Sequence, residues 1–462
     1  MIRFDERVSK RLLRIFDWFL VGFVGVLLLA VMYLVVHRDA YLHRTLDVAA
    51  LVASVALAAA LLATFRLPSL IRAKIVLMIA FSMATLYAME LILFWDPLKL
   101  RGTYPRDGFD QRGYLEVVRD LRAGGTRAYP VLAAVTWLES PPSVMGMPVV
   151  PLSGVPHATT VMCNESGSYV TYESDRFGFN GPDEIWDLSA EIALVGDSFV
   201  EGWCVPREDS LAAVIRNAHP ATLSVGYTGH GPLAELGTIR EYVAPLRPAH
   251  VFWIFYEGND LIKDLPAEMA SAVLRRYLEP DFNQQLRLHS VVIGNEMRRR
   301  FDERLAASPE APPPVVVSVA KLRTLRAMTG IAVGPARPVV RSVPTSLADF
   351  GKILTEAKRT VEEWGGSLHF VYLPDLQSVI GDVASADHDR VLALAADLGL
   401  PTIDMLPVFR THPNPLSLFP YEEGRHLVKT QGLHYNAQGH RLVGIRIVDA
   451  IESLGGNGEG RH

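Results

Sequence analysis

Ile192-Ala193-Leu194-Val195-Gly196-Asp197-Ser198 decides how this chain folds. Four apolar residues without alternation read as a strand buried on both faces, the habit of a central strand in a parallel sheet. Gly196 and Asp197 end the run, so the Ser198 hydroxyl stands at the carboxyl end of a sheet, where open α/β sheets bind their ligands. A second junction of this kind follows, where the run 251–256 meets Gly258, Asn259 and Asp260. Working outward, the pattern predicts strands over 191–195, 222–225, 250–256, 367–373 and 402–405. Helices are predicted over 210–217, 233–243, 347–364, 388–398 and 437–454. Strands alternating with helices imply a mostly parallel sheet covered on both faces, a three-layer, flavodoxin-like α/β core.

Composition bounds the rest. The chain has 462 residues and a net charge of −5, with a pI near 6.3. Nothing in that balance points to nucleic acid as a partner. Mean hydropathy is +0.19, and its source is local. Apolar stretches at 15–36, 46–65 and 75–95 each approach the ~20 residues that a helix needs to cross a bilayer. The first is too long for the core of a signal peptide and lacks a small-residue cleavage site. Three transmembrane helices are expected, with a buried helical domain as the alternative. Arg3, Arg7, Lys10, Arg11 and Arg14 precede the first stretch, and Arg66, Arg72 and Lys74 separate the second from the third. By the positive-inside rule the N-terminus is cytoplasmic and the chain beyond Trp95 faces outward, periplasmic or extracellular in a bacterial inner-membrane protein. Glu90, close to the outer end of the third stretch, is expected to snorkel to the interface.

The two cysteines, Cys163 and Cys204, fall in this outer part. An oxidising compartment favours a disulfide between them, with two buried thiols as the alternative. Such a bridge would pin the segment around Cys163 beside Ser198. No Cys/His spacing matches a zinc site, and no metal or cofactor is expected.

The sequence divides into a membrane domain (1–96), a Pro- and Gly-rich linker and lead-in (97–190), an α/β domain (191–454) and a flexible tail (455–462). Within the α/β domain, residues 261–343 break the strand–helix rhythm. This insertion is helical in pattern and basic in places (Arg298, Arg299, Arg300, Arg304, Lys321, Arg323, Arg326). Beginning straight after the Asn259 block, it is expected to rise over the site as a cap, its arginines more often a solvated face than a patch for anionic lipid or glycan. In the lead-in, Asp175 and Arg176 read as a structural ion pair in a loop.

Gly196-Asp197-Ser198-Phe199, the Gly226/Gly229/Gly231 run, Gly258-Asn259-Asp260 and His434-Tyr435-Asn436, in that order, resemble the blocks of the SGNH/GDSL hydrolase superfamily. The resemblance implies Ser198 as nucleophile and His434 as general base. It implies an oxyanion hole from the backbone N–H groups of Ser198 and Gly229 and the side-chain amide of Asn259. Asp197 reads as the residue that fixes the turn by accepting backbone hydrogen bonds. His440 reads as structural, and His230 as a loop histidine of no special role, with substrate contact as the alternative. The chain departs from the family where an aspartate usually stands three residues before the histidine, because that position is Gln431. Three outcomes are open: a Ser198–His434 dyad, a substitute carboxylate for which Asp375 and Glu423 are the candidates, or a domain used for binding.

Membrane-tethered relatives of this kind imply an esterase or O-acyltransferase working through an acyl-serine on acetyl or other acyl esters of envelope glycans or lipids. Polysaccharide-modification proteins are the implied partners. The competing reading is a non-catalytic, membrane-anchored binding or assembly subunit of such a system.

Overall fold

The computed structural model describes residues 6–36, 45–95, 110, 112–165, 167–307, 315–322, 324–325, 343–381, 385–420 and 434–456. The chain forms two compact units, Met1–Tyr104 with Ala311–Val339, and Pro105–Glu310 with Val340–His462.

In the first unit, helices run over Glu6–Val36, Thr45–Ala63 and Ser69–Trp95. Two stretches, Leu13–Tyr33 and Ser69–Leu93, are long and apolar enough to cross a membrane, while the third, Leu51–Arg66, is shorter. The expectation of three spans is thereby corrected to two candidate spans among the described residues. Most apolar side chains on these helices point outward; Leu20, Val24, Leu61 and Val76 form the small packed centre. Arg72 grips Asp17 with two hydrogen bonds of 2.8 and 3.0 Å, tying the first helix to the third. Glu90 does not snorkel. It is fully buried and accepts the N–H groups of Thr324 and Leu325, both at 2.7 Å. Its carboxylate thus satisfies the free donors at the start of a helical turn.

The second unit holds the α/β core and the lead-in. Lead-in strands are β1 (Ala128–Pro130), β2 (Ser143–Val144), β3 (Met147–Pro148), β4 (Thr159–Val161) and β5 (Thr171–Glu173). β4 pairs parallel with β1 and antiparallel with β5, and β2 and β3 form a small hairpin. The main sheet consists of β6 (Ile192–Gly196), β7 (Thr222–Ser224), β8 (His250–Tyr256), β9 (Ser367–Leu373) and β10 (Thr402–Asp404). Its order is β10-β9-β8-β6-β7 and every pairing is parallel. That is the flavodoxin-like order, with the switch point between β6 and β8.

Side chains alternate across the sheet with period two. Ala193, Val195, Trp253, Phe255, Phe370 and Tyr372 pack on one face with Leu233, Leu236, Phe350 and Leu354 from the helices Pro232–Thr238 and Leu347–Glu362. Ile192, Leu194, Phe252, Ile254 and Val371 pack on the other with Leu211, Ile215, Val443 and Ile447 from the helices Leu211–Ala218 and Ala437–Gly456. Helices on both faces make the three layers. The last helix runs to Gly456; the expected flexible tail beyond it lies outside the described residues.

One expectation outside the sheet, the Asp175–Arg176 pair, is corrected. The first half of the insertion belongs to the second unit. Its long helix, Ser290–Ala307, packs into the lead-in, with Phe301 edge-on to Tyr129 at 5.6 Å and Asp302 bound to Arg122 at 2.8 Å. Residues Ala311–Val339 belong to the first unit. Arg299 pairs with Glu296 and Glu303, and Arg300 with Glu296 and the Ser140 carbonyl, which absorbs much of the basic cluster locally. Arg323 and Arg326 lie outside the described residues. Asp175 and Arg176 do not pair with each other. Asp175 accepts the N–H groups of Phe177, Gly178 and Phe179 and the Trp186 indole N–H, while Arg176 holds Asp183 and Asp187.

Candidate active site

Ser198 opens a single helical turn, Ser198–Glu201, directly off β6. Asp197 caps that turn by accepting the Phe199 N–H at 2.9 Å, the role expected of it. The turn is braced from the lead-in, where Asn180 donates to the Glu201 carbonyl at 2.8 Å.

His434 arrives just ahead of the final helix and reaches Ser198. Its Nε2 lies 2.9 Å from the Ser198 Oγ. Its Nδ1 lies 3.0 Å from Oε1 of Glu165, a carboxylate from the lead-in. With Nδ1–H donating to Glu165, the Nε2 lone pair is left to accept the serine proton, the tautomer that a general base requires. Two rings flank the imidazole, Phe199 at 5.0 Å and Trp203 at 5.5 Å between centroids. The Trp203 indole N–H also donates to Glu165 Oε1 at 3.0 Å.

Glu165 is held in place by the chain around it. Cys163 and Cys204 are bridged, with their α-carbons 5.5 Å apart, inside the usual disulfide range. The Glu165 N–H points at the Cys204 sulfur, 3.2 Å away. The bridge therefore fastens the residue two before Glu165 to the residue six after Ser198.

The two carboxylates proposed from the sequence do not take this place. Asp375 caps the helix Leu376–Ile380 and accepts the Tyr256 hydroxyl at 2.7 Å. Glu423 and Gln431 lie outside the described residues. Sequence reasoning missed Glu165 because it lies 269 positions from His434. A usable signal existed in the pairing of Cys163 with Cys204, which brings residue 165 to the serine turn.

The oxyanion-hole candidates gather around the same turn. Asn259 follows β8 across the switch point and donates from Nδ2 to Asp197 Oδ2 at 3.2 Å, leaving its second amide N–H for another acceptor. A wide turn, Asp260–Asp264, starts immediately after it. Gly226 sits so close to the serine turn that an added Cβ would lie 2.2 Å from the Val200 Cβ. Gly229 has φ +74°, the left-handed region that glycine adopts freely. The N–H groups of Ser198 and Gly229 meet no acceptor among the described residues.

Two buried carboxyls clamp this glycine loop. Glu201 accepts the Thr228 N–H at 2.8 Å together with its hydroxyl, and the Tyr172 hydroxyl at 2.8 Å. Glu268 accepts the N–H groups of Gly231 and Leu233 at 2.7 and 2.9 Å. Burial pushes Glu201 up to about 7 and Glu268 up to about 8. Burial also raises Asp197, Asp260 and Glu235, so an acidic layer lies behind the site. His230 and His440 are both fully buried and held neutral, each pushed down to about 3 by loss of solvent. His440 sits against the N-terminus of the helix Leu211–Ala218, as a structural residue would; His230 is closed off from solvent rather than lining an open loop. Among the described residues no group of His, Cys, Asp and Glu side chains forms a metal-ligand set.

No family model and no curated protein matches the sequence. Solved structures are similar over part of the chain. An acetyl xylan esterase, AlAXEase, is similar at 12% identity and a TM-score of 0.31, over 56% of this chain and 98% of that one. A lipase/acylhydrolase from Enterococcus faecalis is similar at 13% identity and a TM-score of 0.31, over 57% and 95%. A two-domain esterase active on acetylated mannans is similar at 13% identity and a TM-score of 0.28, over 58% and 50%.

Proposed function

We propose that this chain is a serine ester hydrolase or O-acyltransferase of the SGNH/GDSL type, working through an acyl-Ser198 intermediate. The observation that carries this reading is the hydrogen-bonded series Ser198–His434–Glu165, at 2.9 and 3.0 Å. Ser198 Oγ attacks the ester carbonyl carbon as its proton passes to His434 Nε2. The carbonyl oxygen becomes an oxyanion facing the N–H groups of Ser198, Gly229 and Asn259. Collapse breaks the bond to the alcohol, which leaves with the proton from Nε2. Water or a second hydroxyl, deprotonated by the same nitrogen, then attacks the acyl-serine and frees Ser198. Glu165 orients the ring and stabilises the imidazolium.

The setting proposed for this chemistry is a bacterial inner membrane, with the catalytic unit on the outer side and envelope glycans or lipids as acyl donors or acceptors. The two long apolar helices support anchoring. The basic residues before the first apolar stretch support the orientation, and so does the disulfide, which persists in oxidising compartments. Polysaccharide-modification proteins are the partners this setting proposes. Gln431 is the best support of the non-catalytic reading, and the carboxylate on His434 Nδ1 favours the catalytic one.

The test is labelling of the full-length protein with a fluorophosphonate, beside its Ser198→Ala variant. Labelling that disappears in the variant is expected. A folded wild-type protein that does not label would overturn the reading.

A further inference from the structure

A cavity of about 840 Å³ opens in the second unit beside the triad. Its near wall is built from neighbours of the catalytic groups. Trp203, which stacks by His434 and binds Glu165, lines it, as does Thr228, the residue before Gly229. Ala133 lines it too, and a side chain at Gly229 would stand 3.0 Å from the Ala133 Cβ. From there the cavity extends along Leu132 and Met162 to Phe301 and Leu305 on the helix Ser290–Ala307.

The wall is mostly hydrocarbon and aromatic, with Arg304 as its charged member and Thr136, Asn164 and Thr228 among its polar ones. Three of its polar side chains donate elsewhere, while Asn164 Oδ1 has no hydrogen-bond partner among the described residues. Thr228 gives its hydroxyl to Glu201, Tyr169 gives its hydroxyl to the Arg112 carbonyl at 2.8 Å, and Asn164 gives its amide N–H to the Asp110 carbonyl at 2.6 Å. A glycan in this space would find few partners for its hydroxyls, each one left unpaired costing roughly 1–3 kcal/mol. A hydrocarbon chain needs none. The volume falls in the range of roughly 300–1,000 Å³ of ligand pockets, far more than an acetyl group fills.

Resting on the acyl-serine reading, we propose that this cavity receives the acyl chain of the substrate, and that the acyl group is a medium- or long-chain fatty acyl rather than acetyl. The scissile carbonyl then sits at Ser198, with the alkoxy side directed away from the Trp203–Thr228 wall and the acyl tail running toward Leu305.

The experiment uses the full-length protein in lipid nanodiscs, without detergent that would compete for the cavity. Hydrolysis of 4-nitrophenyl acetate, butyrate and octanoate is compared for the wild type, Leu305→Arg and Ala307→Trp. Each buried methylene favours binding by about fourfold, so kcat/KM is expected to climb at least about tenfold from acetate to octanoate. Both variants are expected to cut the octanoate-to-acetate ratio by about tenfold or more, acetate turnover reporting that they have folded. A wild type that prefers acetate, or a ratio that neither variant changes, would overturn the proposal while leaving the serine-hydrolase reading standing. If no ester is cleaved and Ser198 does not label, the functional reading itself fails. Saturable tryptophan quenching by a nitroxide-labelled fatty acid still reads the cavity in that case. Quenching lost in Leu305→Arg would keep chain binding, and absence of quenching would remove it.

Discussion

Glu165 lies 3.0 Å from His434 Nδ1 although 269 positions separate the two residues. On the function proposed above, the acid that orients His434 comes from a segment ahead of Ser198, where the family that the sequence resembles takes it from just before the histidine. If that carboxylate orients the imidazole, Glu165→Gln should lower kcat by about 10²–10⁴, as amide replacement does in other serine triads. The rate of fluorophosphonate labelling should fall with it, whereas Asp375→Asn should leave labelling near wild type. Equal labelling by wild type and Glu165→Gln would reduce the machinery to a dyad.

The Cys163–Cys204 bridge closes a loop of 41 positions and holds Glu165 to the serine turn. Cys163→Ser with Cys204→Ser should cost about 2–4 kcal/mol of stability, measured by denaturant unfolding in nanodiscs. Activity in the absence of denaturant should fall as well, through loss of the Glu165 contact. Stability lost with turnover intact would show that the bridge serves the fold alone.

Asn259 keeps one amide N–H free of Asp197. Asn259→Ala should reduce kcat by about 10²–10³, with a smaller change in KM, because an oxyanion donor acts chiefly in the transition state. Steady-state kinetics on a single ester decide this.

Stability should decline as pH rises. Burial lifts Glu201 and Asp264 to about 7 and Glu268 to about 8, whereas such carboxyls titrate near about 4 in an unfolded chain. The folded protein therefore holds protons that the unfolded chain has released. The resulting stabilisation is complete below the unfolded range and is lost as pH rises through the folded values. Tm measured by scanning from pH 5 to pH 9 should fall, and Glu268→Gln should flatten the upper part of the fall. A Tm that rises over this interval would contradict the assignment.

Gly226→Ala places a methyl 2.2 Å from the Val200 Cβ and 2.9 Å from the Asp197 carbonyl. The branched Val200 side chain on one side and the Asp197 carbonyl on the other resist the shift, so the variant should lose about 1–3 kcal/mol, the usual cost of overpacking. It should also label more slowly at Ser198, since the displaced atoms belong to the nucleophile turn.

The strands were legible because a buried parallel strand is a continuous apolar run, and β8 and β9 fall on the residues that the pattern named. Ser198 and His434 were legible because each stands at a strand end or helix start that the same pattern marks. The middle apolar helix was read as a third span, whereas two of the three helices meet the length and composition that crossing a bilayer asks for. Glu90 was misread because an acid near the end of an apolar helix looks the same whether it meets water or the backbone of a distant segment.

What the sequence determined by itself is whatever depends on local periodicity and on the order of short blocks: the α/β alternation, the nucleophile turn, the asparagine and the histidine. Tertiary structure alone decided which carboxylate serves His434, where the insertion packs, and which side chains wall the cavity beside Ser198. Those depend on contacts between segments far apart in the chain. Such contacts are selected by the packing of whole surfaces, and a linear pattern carries no record of which surfaces meet.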